Sequence, residues 1–175
     1  MNKKQNKKNK SKNQYSHLTK FIGIDAGKGG GIASLSNEIN EVYKCPDTPT
    51  EMSYLFARLI NDTPPHKVIV MIEKVWARPH DGRSSIFKFA QNYGQWEGIV
   101  AGNSFIPQYV TPQVWMKYLG CPPKLSKKDR KNFLKELAKK EHPLLSKKIT
   151  LKTADALLVA CYAKKLAIAG DFDNL

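Results

Sequence analysis

Three acids carry the chemistry open to this sequence. Asp25 closes the apolar run Phe21-Ile-Gly-Ile, Glu73 closes the β-branched run at 68–72, and Asp155 lies just after Thr153, in the first turn of a helical pattern. A carboxylate at the end of a buried strand is costly unless something neutralises it, and a divalent cation is the usual solution. Neighbouring central strands would bring Asp25 and Glu73 together, and a helix across the sheet would add Asp155. Converging carboxylates repel unless cations sit between them. Two Mg²⁺ ions roughly 4 Å apart, clamping the attacking and leaving oxygens, are a known arrangement for phosphodiester hydrolysis. Taken singly, Asp25 also suits a turn cap, and Asp155 is an ordinary residue for a helix start.

The elements that must position these acids follow from patterning. Residues 21–25, the glycines at 27–31 and a second apolar run predict a buried strand, a tight turn and an antiparallel partner. Sugar kinases and actin-like ATPases open on the same pattern, but they enclose a nucleotide between two related domains, and this chain has room for one. A third strand is predicted over 39–44, then a helix over 51–61 capped by Thr50, with Met52, Leu55, Phe56, Leu59 and Ile60 at helical spacing. Thr63-Pro64-Pro65 ends it, and 68–72 suits a central strand buried on both faces. A loop follows with Trp76, Arg78, His80 and Arg83, then a long helix to about residue 101 capped by Ser84 or Ser85. That helix is apolar on more than one side, Phe87 included, which predicts either deep burial or a partner such as a second copy of the chain. A fifth strand over 106–110 and a short helix from Thr111-Pro112 come next. The helix expected over 124–140 begins with Lys124, Lys127, Lys128, Arg130 and Lys131. Positive charge there opposes the macrodipole, whereas a phosphate would meet both the side chains and free amides. Thr153 caps the last helix, which ends near residue 169.

Charge supplies the partner class. The chain of 175 residues carries a formal +14, with a pI near 9.7, so polyanions are favoured, nucleic acid first. A Lys/Asn/Ser/Gln tail without acids over 1–19 predicts a flexible arm making phosphate contacts, ahead of one folded domain at 20–170 and a short tail at 171–175. No run approaches the ~20 apolar residues of a membrane span, and no signal-peptide core is visible. The expected location is therefore cytoplasmic or nucleoid-associated. Cys45, Cys121 and Cys161 lack paired spacing and suit free thiols. His17, His66, His80 and His142 form no ligand cluster and are expected at the surface or in loops.

With these residues in order, the chain resembles the RuvC-like Holliday-junction resolvases of the RNase H-like superfamily, particularly their phage and viral branch. The similar stretches are Ile22-Gly-Ile-Asp25-Ala-Gly with Gly30-Gly31-Ile-Ala, Ile72-Glu73-Lys-Val-Trp76, Ser85-Ile-Phe-Lys-Phe-Ala-Gln-Asn-Tyr-Gly94, Val110-Thr-Pro-Gln-Val-Trp115 and Ala154-Asp155-Ala-Leu-Leu-Val-Ala160. The resemblance implies an α/β fold: a mixed five-stranded sheet, three antiparallel strands then parallel ones, flanked by helices. It implies a homodimer built through the helix at 85–101, and Mg²⁺ or Mn²⁺ at Asp25, Glu73 and Asp155. The implied activity is paired, symmetric nicking of four-way DNA junctions. Trp76 falls where relatives stack an aromatic on a junction base, and Lys127 and Lys128 where they carry basic residues near the scissile phosphate. Arg78, Arg83, Lys124, Arg130 and Lys131 complete the expected DNA contacts. In one respect the chain departs from the pattern: relatives carry a further acid one helical turn before the final aspartate, where this chain has Leu151 and Lys152. That predicts a weak second metal site, with Lys152 supplying part of the missing positive charge. The alternatives are a broader branched-DNA nuclease and a junction-binding protein that no longer cuts.

Overall fold

The computed structural model describes residues 16–74, 76 and 82–172. Five strands form one sheet: β1 (Lys20–Asp25), β2 (Gly31–Ser36), β3 (Glu41–Lys44), β4 (Val68–Glu73) and β5 (Pro107–Val110), in the order β3-β2-β1-β4-β5. The first three run antiparallel, and β4 and β5 extend the sheet parallel to β1. This is the mixed RNase H-like sheet expected from the sequence. Among the described residues five α-helices flank it: α1 (Pro49–Ile60), α2 (Arg83–Gly102), α3 (Pro112–Tyr118), α4 (Lys127–Glu141) and α5 (Ala154–Ala169).

Strand alternation divides the interior in two. Ile22, Ile24, Val70 and Ile72 pack with Met52 and Phe56 of α1 and Trp96 and Val100 of α2. Phe21, Met71 and Val110 face the other way, onto α5, with Trp115 and Leu134. Asp25 and Glu73 share the parity of Phe21 and Met71, so both acids project toward α5. That helix is buried continuously from Ala154 to Ala163, as an all-round apolar helix must be. Its approach to the sheet depends on Gly23, where an added Cβ would lie 2.2 Å from the Ala156 carbonyl oxygen and 2.4 Å from the Ala160 nitrogen.

Several helix starts differ from the sequence expectation. Thr48, not Thr50, caps α1: its hydroxyl accepts from Glu51 N at 3.2 Å while Glu51 accepts from Thr48 N at 3.0 Å. Pro49 takes the first helical position, where a missing N–H costs nothing. Ser84 and Ser85 lie inside α2, which begins behind Gly82 without a side-chain cap. The charged helix α4 begins at Lys127, because Ser126 accepts from Asp129 N and caps it; Lys124 lies in the preceding loop with φ 63°. In α2 the described buried side chains are Asn92, Trp96 and Val100, and Phe87 is 69% exposed. Deep burial therefore does not explain its second apolar face. His142 is half-buried rather than superficial, with Nε2 3.0 Å from Cys161 Sγ. The predicted tail lies outside the described residues up to 15, and Thr19 N already donates to Lys67 O at 2.9 Å.

The contact at Gly23 is testable. Gly23→Ala should destabilise the protein by about 3 kcal/mol or prevent folding, because backbone atoms cannot yield like a flexible side chain. Gly98→Ala, in α2 with open space around the new methyl, should be neutral or stabilising by up to ~1 kcal/mol. Urea denaturation of the two variants reads the difference.

Candidate active site

The three acids meet at one end of the sheet. Asp25 ends β1 and Glu73 ends its parallel neighbour β4, so adjacent C-terminal strand ends present them side by side. Asp155 arrives from the first turn of α5. Glu73 and Asp155 are 5% and 4% exposed, while Asp25 sits at the rim with its carboxyl turned inward. Gly30 makes room for it: a Cβ there would fall 2.1 Å from the Asp25 carbonyl oxygen and 2.7 Å from its carboxyl carbon. The glycine turn thus serves close packing against the acid.

The electrostatics of the cluster are those of repelling charges under partial compensation. Burial, then the neighbouring Asp155, pushes Asp25 up to about 6; burial, then Asp25 and Asp155, pushes Glu73 up to about 8. Burial is the larger cause for both, so the two neighbouring carboxyls hold their protons to higher pH than ordinary acids do. Trp115 Nε1 donates to Glu73 Oε1 at 2.8 Å and fixes its rotamer. On the other side Lys131 Nζ lies 2.5 Å from Asp155 Oδ2. Burial pulls Lys131 down, but Asp155, Asp25 and Glu73 outweigh it and hold its pKa above the ordinary lysine value. Asp155 Oδ1 is buried with no hydrogen-bond partner.

Lys131 therefore turns inward to the acids, whereas Lys124, Lys127 and Lys128 are exposed and Arg130 is half-buried along the start of α4. Lys152, expected to supply the missing charge, is exposed, and Leu151 is 46% exposed; the cation paired with Asp155 is Lys131. Arg83 opens α2 and Trp76 is 60% exposed beyond β4. Arg78 and His80 lie outside the described residues. Sequence reasoning missed the inward role of Lys131 and the Glu73–Trp115 bond. The signal for the first was helical spacing: Lys131 precedes the buried Leu134 by three residues, and so lies toward the buried side of α4.

Whether the site suits a divalent metal follows from its donors. Hard carboxylate oxygens, one buried oxygen without a partner, and two acids whose ionised forms are disfavoured by burial and neighbouring charge all suit Mg²⁺ or Mn²⁺. As placed, though, no group of three or more His, Cys, Asp or Glu side chains among the described residues is arranged to hold a metal ion. Lys131 occupies the position of compensating charge. The donors fit a metal; the third, Asp155, is engaged by Lys131.

With this geometry in view, comparison with known proteins is informative at the level of fold. No protein-family model matches the chain, and no curated protein is significantly similar to it. Solved structures of Thermus thermophilus RuvC are similar: the complex with a Holliday junction substrate gives a TM-score of 0.61 at 15% identity, covering 87% of this chain and 97% of that one. A second Thermus thermophilus RuvC structure gives 0.55 at 17% identity with the same coverage. The fold is RuvC-like. The likeness spans nearly all of the described RuvC-like sheet and helices, and at such identity it speaks for the fold alone. No helix of the described residues is long and apolar enough to cross a membrane.

The strained protonation of the acids makes a prediction about stability. Asp25 and Glu73 bind protons more tightly folded than unfolded, so protein kept in EDTA loses stability as pH rises from about 4, the unfolded carboxylate range, to about 8. Lys131 contributes with the opposite chemistry, but its raised pKa keeps that contribution intact throughout this window. Glu73→Gln, which can still accept from Trp115, should stabilise the protein by roughly 1–3 kcal/mol at pH 8 and hardly at all at pH 4. Thermal melts at the two pH values check it; equal effects at both would show that the acids do not repel.

Proposed function

We propose that the protein is a metal-dependent endodeoxyribonuclease that resolves four-way DNA junctions by paired nicks. The observation that carries this reading is the convergence of Asp25, Glu73 and Asp155 at the sheet end of a RuvC-like fold, with a basic helix start beside it. One similar structure is RuvC in complex with a Holliday junction substrate, which supports branched DNA as the ligand class. The net charge of +14 agrees with it.

In this reading Asp25, Glu73 and Asp155 would hold a Mg²⁺ or Mn²⁺ ion, for which Lys131 must leave Asp155. A bound ion would supply Lewis-acid activation of water and charge stabilisation at the scissile phosphate. The chain's own residues do the rest. Trp115 holds the Glu73 carboxyl in place, and Gly30 lets backbone close over Asp25. Lys131, freed from Asp155, turns to the phosphate. Lys124, Lys127, Lys128 and Arg130 at the α4 start, and Arg78 and Arg83 near Trp76, hold the backbone, while Trp76 stacks on a base exposed at the crossover. A homodimer through α2 is supported by the exposed Phe87 and by Ile106, 83% exposed, just before the edge strand β5. Two copies would give the symmetry that paired nicks require. The phage and viral placement rests on the similar stretches alone.

The reading in which the chain binds junctions without cutting is motivated by Lys152 in place of the further acid. Charge bears on the choice: three ionised carboxylates with Lys131 leave a site of two negative charges, which one divalent ion neutralises. A four-way junction and a matching linear duplex, each with Mg²⁺ or Mn²⁺, separate the readings. The expected outcome is paired nicks in the junction alone, abolished in Asp25→Asn; equal cutting of flaps and forks indicates a broader nuclease, and tight binding without nicks indicates a binding protein. Junction affinity should fall about 10³-fold between 50 and 200 mM salt if six or more phosphates are contacted.

Metal titration by calorimetry gives a further expected result. Free protein should bind one Mn²⁺ per chain, and Lys131→Gln should bind it ~10-fold tighter or better, because a competing cation has left Asp155, while nicking falls. Two tight sites on the free wild-type protein would refute the single-ion arrangement.

A further inference from the structure

Beyond Glu73 the chain keeps its strand register for one more step. Lys74 N donates to Val110 O at 2.8 Å, extending the β4–β5 pairing. Ile72 pairs with Tyr109, so Lys74, two residues on, stands diagonally from Tyr109 on the same face of the sheet. That face carries α1 and α2, opposite the face of the acids. The Lys74 ammonium lies 5.7 Å from the Tyr109 ring centroid and 5.6 Å from that of Trp76, both within the ~6 Å over which a cation is attracted to a ring face. Tyr109 is anchored in turn: its hydroxyl donates to Glu97 Oε1 of α2 at 2.7 Å. Burial and that bond raise Tyr109 to about 12, so it remains the donor at any working pH.

We infer that Lys74 and Tyr109 are positioning residues for Trp76, forming with Glu97 a ladder that presets the exposed indole for stacking on an unpaired base. The inference rests on the reading of Trp76 as the stacking residue. An indole 60% exposed at a strand end has rotamers to lose when it stacks, and ordering it beforehand removes that loss from the binding step. Lys74 is the rung that makes this work. Its charge faces two rings at once, and its backbone is pinned to β5, so the indole is referenced to the sheet rather than to its own loop. Glu97 extends the reference to α2, the helix assigned to the dimer.

Fluorescence reads the ladder without DNA. Trp96 and Trp115 are fully buried, so acrylamide quenching and fast depolarisation report on Trp76. Tyr109→Leu breaks the ladder and leaves every charge in place; Lys74→Gln breaks it and removes a cation; Lys74→Arg keeps a cation that stacks on rings. Tyr109→Leu and Lys74→Gln should both increase Trp76 quenching and mobility, with Lys74→Arg near wild type. On a junction carrying 2-aminopurine at the crossover, both should weaken base opening about 3- to 10-fold, while Tyr109→Leu binds linear duplex as wild type does. Unchanged Trp76 quenching in both variants overturns the ladder. An effect confined to Lys74→Gln also overturns it and makes Lys74 a phosphate contact. Trp76→Leu with an undiminished 2-aminopurine signal overturns the stacking reading instead, and the quenching in free protein still judges whether the ladder orders the indole.

Discussion

The pairing of Lys131 with Asp155 inside a nest of acids is the interaction on which the rest of the site depends. Three carboxylates within one desolvated corner cannot all be ionised and uncompensated, and the protein relieves the conflict twice, with carboxyl pKa values raised at Asp25 and Glu73 and an ammonium at Asp155. The fold forces the conflict. β1 and β4 are parallel neighbours, so their acids emerge at the same end, and α5 must lie close because Gly23 carries no side chain to hold it off. A sheet with ordinary residues at these positions would be easier to fold and would have nothing with which to hold a cation. Strain of this kind belongs to sites rather than scaffolds.

Much of this architecture was legible in the sequence, and the reasons are physical. Continuous apolar runs ending in Asp25 and Glu73 marked central strands, but runs buried on both faces did not say which face each acid would take. The last helix and Asp155 in its first turn were legible, while its continuous burial from Ala154 to Ala163 came from packing on the sheet. Helix starts were less legible, because several residues at each could cap: Thr48 prevailed over Thr50 through its reciprocal bond with Glu51, and Ser126 prevailed for α4 through Asp129. Lys131 was hidden for a different reason. Five basic residues near one helix start share a composition, and only the rotation of α4 against α5 decides which of them turns inward. Lys152, adjacent in sequence to the helix bearing Asp155, was the more obvious candidate cation; its backbone lies against β2 near Gly31 and its side chain faces solvent.

A strand's two-residue period also constrains what one strand end can do. Along β4 the acid face receives Glu73, and Lys74 must go to the other. Any group cooperating with Glu73 on the same nucleotide must therefore come from another element, as Trp115 and Lys131 do from α3 and α4. In the proposed reading, Lys74 and Trp76 would serve a different part of the ligand from Glu73. Trp76 is three residues on, at most roughly 10 Å of extended chain away. That reach corresponds to about three rises of a B-form strand. In the proposed reading the stacked base and the cut phosphate therefore lie within about three nucleotides of each other at the crossover. Recognition of an opened base and hydrolysis can then be set separately, one through the rings on the α2 side and the other through the charges on the α5 side. The Lys74–Val110 backbone bond, one residue past Glu73, refers both to the same end of the sheet.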